Sequence, residues 1–164
     1  MLDESQAEPC ATEMHLRFIW PGKTKDEHLR ALVAEYLKRL THFARCEAIE
    51  TRAGAANSAG VEKESHRILE AVPPRSQMIL LEVKGREWSS QELAAQVQRW
   101  ENDSVKEVAI VIGGPHGVSA EVMARAQEKW CLSRLTLTHE MARVVCVEQL
   151  YRAYTINRGL PYQK

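Results

Sequence analysis

The stretch EVAIVIGGPHGVS, residues 107–119, narrows the possible folds more than any other. Val108-Ala109-Ile110-Val111-Ile112 is short, rich in β-branched residues and closed by glycine, the pattern of a strand buried in a parallel sheet. Gly113-Gly114-Pro115-His116-Gly117 follows with no spacer, so the backbone turns tightly and can approach a ligand closely. Ser119 is a helix N-cap, with Glu121 in the first turn. Strand, glycine turn and helix start are the place where open α/β sheets hold ligands, outside the carboxyl ends of the strands. The same pattern also serves as an ordinary tight connection. It lacks the Gly-Lys-Ser/Thr of a phosphate loop, and its glycine spacing is not the dinucleotide fingerprint, so by itself it names no ligand.

The rest of the chain supplies alternating strands and helices around that stretch. His15–Trp20 reads as the first strand, ended by Pro21-Gly22. Asp26 caps a helix running to about Phe43, with Leu29, Leu32, Val33, Tyr36, Leu37 and Leu40 as its apolar stripe. Cys46–Thr51 is a weak strand, residues 53–60 a flexible loop of small residues, and Val61–Val72 a charged helix stopped by Pro73-Pro74. Met78–Val83 is a buried strand ended by Gly85, and Ser89 or Ser90 caps a helix through Trp100. After the glycine turn come a helix at about 119–128 and a short strand or extended segment at 130–137. A long helix from His139 to about Asn157 follows, terminated by Gly159 and Pro161. Val147 and Ile156 broaden that helix's apolar surface, so it suits core packing and a partner helix alike. The alternation predicts an α/β fold with a mainly parallel sheet and helices on both faces, in one domain over residues 14–164.

Composition bounds the function. Lys+Arg and Asp+Glu are both 22, so the formal net charge is zero and any attraction to nucleic acid needs a local patch. Cys10, Cys46, Cys131 and Cys146 are scattered without a C-x-x-C pair, which argues against a zinc site or a disulfide framework and fits a reducing, cytoplasmic setting. No apolar run has membrane-spanning length. Residues 1–13 are acidic, lack the parts of a signal peptide and read as a disordered leader.

Several blocks in register carry more than the glycine turn does. These are Leu81-Glu82-x-x-Gly85, Ile112-Gly113-Gly114-Pro115-x-Gly117-x-Ser119, Trp130-x-Leu132-Ser133-x-Leu135-Thr136-Leu137-x-His139, Arg143-Val144 and Glu148-Gln149-Leu150-Tyr151-Arg152-Ala153. In order and spacing the chain resembles the ribosomal large-subunit methyltransferase H family, closely over residues 78–162 and loosely before. The resemblance implies a SPOUT fold with a C-terminal trefoil knot, a homodimer, and methylation of N3 of a pseudouridine in 23S rRNA on the assembled ribosome. It implies S-adenosylmethionine as cofactor, held by Leu81, Gly113, Leu132, Ser133, Arg134, Leu135, Thr136 and Leu137. It points to Arg152, Tyr162 and Gln163, with His139 and Arg143, as the catalytic and RNA-holding set, and to no metal.

Each of those side chains also has a plainer reading. His139 and Arg143, one turn apart, suit helix capping and a surface charge; Arg152 suits an i, i+4 ion pair with Glu148; Tyr151 and Tyr154 suit packing. His116 lies where the family varies. Two departures bear on RNA. The tail is Leu160-Pro161-Tyr162-Gln163-Lys164 where the family ends on Tyr-His, and glutamine cannot titrate. The loop at 53–60 lacks the family's basic residues. These changes keep two alternatives open: a knotted RNA- or ribosome-binding protein with weakened or lost catalysis, and a SPOUT methyltransferase for another RNA.

Overall fold

The computed structural model describes residues 14–163. Residues 1–13, and with them the expected leader and Cys10, lie outside the described residues, as do Lys164 and the Gln163 side chain. The strands are β1 (His15–Pro21), β2 (Arg45–Thr51), β3 (Gln77–Glu87), β4 (Glu107–Val111) and β5 (Glu128–Cys131). The helices are α1 (Glu27–Leu40), α2 (Ser58–Ala71), α3 (Ser90–Asn102), α4 (Ala120–Arg125) and α5 (His139–Asn157), followed by a 3₁₀ turn at Pro161–Gln163. The five strands form one sheet in the order β2-β1-β4-β3-β5, every pair parallel.

Strand alternation divides the core into two layers. Leu16, Phe18 and Trp20 of β1, with Val108 and Ile110 of β4 and Ile79 of β3, pack under α1, α3 and α5. Ile19, Met78, Leu80, Ala109 and Val111 point the other way, under α2 and α4. α5 lies between α1 and α3 on the first layer. Its eight buried residues include Val144, Val147, Leu150 and Tyr154, and its bounds match the sequence expectation. Gly159, at φ +65°, ends it in a Schellman arrangement: Gly159 N–H donates to the Ile156 carbonyl and Leu160 N–H to that of Thr155.

Several boundaries differ from expectation, β5 among them at Glu128–Cys131 instead of 130–137, and four have a clear physical reason. α1 stops at Leu40, and residues 41–43 finish it as a tighter turn. α2 starts at Ser58 because Asn57 caps it, its side chain accepting from Gly60 N–H at 2.7 Å. The loop before it is no slack connector: Gly54 and Gly60 pack backbone against backbone, leaving no room for a Cβ at either. β3 does not end at Gly85. The chain loops out after Leu81 and returns, so that Leu81 and Arg86 both oppose Trp130, and a Cβ on Gly85 would come within 2.5 Å of the Lys129 carbonyl oxygen. α4 ends at Arg125, because Gln127 exchanges two hydrogen bonds with Met78 (Gln127 N to the Met78 carbonyl, 3.0 Å; Met78 N to Gln127 Oε1, 2.7 Å) and draws the chain into β5.

Among the described residues no helix is long and apolar enough to cross a membrane, and no group of three or more His, Cys, Asp or Glu could hold a metal ion. Cys46, Cys131 and Cys146 are free thiols, and burial pushes that of Cys46 up to about 12, which keeps it an unreactive thiol.

Candidate functional site

Three adjacent strands, β4, β3 and β5, end side by side. Leu80 pairs with Val111 and Leu81 with Trp130, so Gly113, Leu81 and Leu132 stand together at one carboxyl edge. The chain leaves β4 toward α4 on one face and leaves β3 and β5 toward α3 and α5 on the other. That divergence opens a crevice beside the glycine loop. Gly117 takes φ +85°, closing the turn with a Gly114–Gly117 bridge. At Gly113 the backbone runs close to a neighbour: a Cβ would lie 2.7 Å from Val118 Cγ1.

The segment 132–137 forms the outer wall. Leu132 and Leu81 pack partly into the core, whereas Leu135 is 75% exposed, a large apolar side chain left in solvent next to the crevice. Ser133 holds the turn by accepting from Leu135 N–H at 3.0 Å, and Arg134 is tied to Glu87 at 2.8 Å. The N–H groups of Arg134, Thr136 and Leu137 enter no hydrogen bond among the described residues, so a ligand at this edge meets free donors between apolar side chains. Two open surface hollows lie elsewhere. One, of about 810 Å³, opens at the amino ends of β3 and β4, lined by residues such as Pro73, Gln77 and Glu107; the other, about 400 Å³, lies between the α2 start and His116. Neither is lined by Leu81, Gly113 or residues 132–137.

Thr138 caps α5, accepting from Met141 N–H at 3.2 Å, and His139 is the helix's first residue. Arg143 is not the surface charge its sequence suggested. It is 1% exposed, donates to Thr24 Oγ1 at 2.9 Å and to the Pro21 carbonyl at 2.7 Å, and lies over the Trp20 ring at 5.1 Å. Its acceptors are neutral, its Nε has no partner, and desolvation lowers its pKa. In this position Arg143 braces the loop between β1 and α1 and presents no guanidinium to solvent for a phosphate.

The tail residues form a separate cluster. Arg152 Nη2 donates to Glu148 Oε1 at 2.7 Å, the i, i+4 pair, and the Tyr162 hydroxyl donates to the same oxygen at 2.9 Å. Arg152 also stacks over the Tyr162 ring at 4.8 Å, Tyr151 meets that ring edge-on at 4.8 Å, and Tyr36 Oη lies 3.0 Å from Tyr162 Oη. Burial, then the hydrogen bonds with Tyr36 and Glu148, raises the Tyr162 pKa. Sequence reasoning had the Arg152–Glu148 pair but missed Glu148 as the common acceptor, and missed Tyr36 entirely; nothing in the spacing joins residue 36 to residue 162. Arg152 lies 14 residues beyond Thr138 on α5, about 21 Å at the helical rise, so the tail cluster and the crevice stand well apart within one chain.

The comparisons with known proteins meet this geometry. The family model described as "Predicted SPOUT methyltransferase" matches residues 14–163. The chain belongs to that family. It is 40% identical over 154 residues to the ribosomal RNA large subunit methyltransferase H of Anaeromyxobacter sp., covering 92% of this chain and all of that one. It is likewise 40% identical over 159 residues to the methyltransferase H of Bacillus thuringiensis, again over 92% of this chain and all of the relative. Among solved structures, a probable methylase family protein from Haemophilus influenzae aligns with a TM-score of 0.57 at 15% identity, over 93% of this chain and 71% of that one. At that identity the likeness speaks for the fold. The SPOUT methyltransferase described here is therefore an enzyme of the methyltransferase H branch, built on a five-stranded parallel α/β sheet.

Proposed function

We propose that this enzyme transfers the methyl group of S-adenosylmethionine to N3 of a pseudouridine in 23S rRNA of the assembled ribosome, in the cytoplasm and as a homodimer. The observation that carries the reading is the joint one: near-complete coverage of the methyltransferase H relatives, with Leu81, Gly113 and Leu132 brought to one carboxyl edge. Those residues fit the cofactor. Leu81, Leu132, Leu135 and Leu137 offer apolar walls for an adenine, the free N–H groups of the 134–137 segment offer donors to its ring nitrogens, and Gly113 leaves room for close approach. The trefoil knot of SPOUT proteins belongs to this reading, as the threading of these same segments.

When bound, the cofactor supplies an electrophilic methyl on a sulfonium. The chain's own task is to bind the base, orient N3 in line with that methyl and let the N3 proton leave. Arg152 and Tyr162 are the groups we assign to holding the base or its phosphate, with Gln163 hydrogen-bonding and His139 at the crevice end of α5. The 21 Å along α5 supports a composite site in which one subunit's tail serves the crevice of the other. Because Gln163 cannot take a proton, proton loss at N3 goes to solvent or to another group, and orientation carries more of the rate.

The test is mass spectrometry of 23S rRNA nucleosides from a deletion strain, with and without the gene restored. Appearance of N3-methylpseudouridine only on complementation is the expected result. Its absence, with ribosome binding intact, would favour the knotted ribosome-binding alternative that Gln163 motivates; a methylated nucleoside in another RNA would move the substrate.

A further inference from the structure

An exposed loop bearing two lysines lies next to the crevice. The loop between β1 and α1, Gly22-Lys23-Thr24-Lys25, alternates in exposure: Thr24 is 2% exposed, while Lys23 and Lys25 are exposed. The alternation is imposed from below. Buried Arg143 donates to Thr24 Oγ1 and to the Pro21 carbonyl. One turn earlier on α5, Glu140 accepts from Lys25 N–H at 2.6 Å and Asp26 N–H at 3.2 Å. The first two turns of α5 thus clamp the loop at both ends. Through Thr138 the first of these turns continues directly into residues 132–137 of the cofactor edge.

The two ammonium groups are not used internally. Among the described residues neither Lys23 nor Lys25 has an ion pair. Of the acidic groups around the loop, Asp26 and Glu140 are already engaged, and Glu27 and Glu50 form no ion pair with either lysine among the described residues. Asp26 accepts from His28 and Leu29 N–H as the α1 cap, and Glu140 is held by the two loop N–H groups. Arg52 adds a third exposed cation. It follows Thr51, whose carbonyl accepts from Gly22 N–H at 2.8 Å, which ties the start of the loop to the end of β2. Arg67 braces that side by donating to the Arg52 carbonyl at 3.1 Å. The rim beside the crevice therefore carries three exposed cations, Lys23, Lys25 and Arg52, that form no ion pair among the described residues.

We propose that the clamped loop Gly22–Lys25, with Arg52, is an RNA-backbone docking surface: Lys23 and Lys25 contact phosphates, and Arg143 and Glu140 are positioning residues that set their height over the cofactor edge. This rests on the methyltransferase reading above. It supplies from a neighbouring loop the charge that residues 53–60 lack.

The test is the salt dependence of binding to ribosomes and to protein-free 23S rRNA, comparing the wild type with Lys23→Gln/Lys25→Gln. Each phosphate contact contributes about 0.7–0.9 to the slope of log K against log salt. The double variant should lose about 1.4–1.8 from the slope, which at 0.15 M salt is roughly a 15–30-fold weaker affinity. S-adenosylhomocysteine affinity should stay unchanged. Thr24→Val, which removes Arg143's side-chain acceptor but keeps both lysines, should weaken RNA binding without changing the slope by a full contact. An unchanged slope in the double variant, with a wild type that methylates ribosomes, overturns the docking surface and leaves the function standing. Loss of ribosome binding with unchanged binding to protein-free rRNA makes the partner an acidic protein and also overturns it. A wild type that binds neither target, yet binds S-adenosylhomocysteine, overturns the RNA reading itself.

Discussion

Glu148 is the residue whose removal best tests how the tail is held. One carboxylate oxygen accepts from Arg152 and from the Tyr162 hydroxyl, while the other accepts from Gln149 Nε2 at 2.6 Å. Hydrogen bonds to a charged group contribute about 1.5–3 kcal/mol when shielded. Here the Glu148 side chain is 16% exposed and that of Arg152 27%, so solvent screens the ion pair to about 1 kcal/mol or less. The Tyr162 bond adds about 1 kcal/mol more, because its loss also frees the tail turn. Glu148→Ala should therefore destabilise by about 2 kcal/mol, a fall in Tm of roughly 4–8 °C for a chain of this size. Glu148 lies 11 residues past Leu137, about 16 Å along the helix, so S-adenosylhomocysteine titrated calorimetrically should bind as tightly as before. Single-turnover methylation of ribosomes should slow, because Arg152 and Tyr162 lose their fixed orientation. A variant with unchanged Tm and unchanged rate would show that the Glu148 cluster holds nothing of consequence. A variant that loses cofactor affinity would show that the two sites are not separate.

Gly113→Val should abolish S-adenosylhomocysteine binding in calorimetry: its Cβ would already lie 2.7 Å from Val118 Cγ1, and the added methyls force the glycine loop out of its present shape. The Tyr162 pKa is raised in the folded state, so its docking contributes stability below about pH 10, where the unfolded tyrosine titrates, and that contribution is lost as pH rises toward the folded value. Tyr162→Phe should accordingly reduce the alkaline fall in stability measured by urea melts between pH 9 and 11, leaving the parts due to the buried and likewise raised Tyr154, Cys46 and Cys146. Gln163→His should raise the single-turnover rate on ribosomes, most near neutral pH where imidazole is partly unprotonated, since a positioned acid–base group is worth up to about 10²–10⁴-fold; no change would place proton removal elsewhere.

The elements were legible where local chemistry decides them. The 107–119 stretch gave a strand, a turn and a capped helix, and Ser119 does cap α4. The apolar positions from His139 to about Asn157, with Gly159 and Pro161 beyond them, located α5. Long-range geometry was not legible. Periodicity cannot say that β1 inserts beside β4, nor that Gly85 is a point of close approach within a strand that continues past it. Arg143 misled for the same reason. An arginine on a helix reads as surface charge, and only the Pro21 carbonyl and the Trp20 face, more than 120 residues away in the chain, make an interior place for it.

The blocks that resemble the family divide spatially in a way their order along the chain hides. Leu81, Gly113 and Leu132 are far apart in sequence and adjacent at the sheet edge, because β4, β3 and β5 are neighbours. Leu137 and Arg152 are close in sequence and far apart in space, because a rigid helix separates them. A side chain at Arg152 cannot cross about 21 Å to a base at its own crevice. If both blocks serve one reaction, the second must come from another copy, and the docking of Tyr162 on Tyr36, Tyr151 and Glu148 fixes the tail in the orientation that copy has to meet. The tail's hydrogen bonds are then part of the substrate site, which is why a substitution at Glu148 should reach the rate without touching the cofactor.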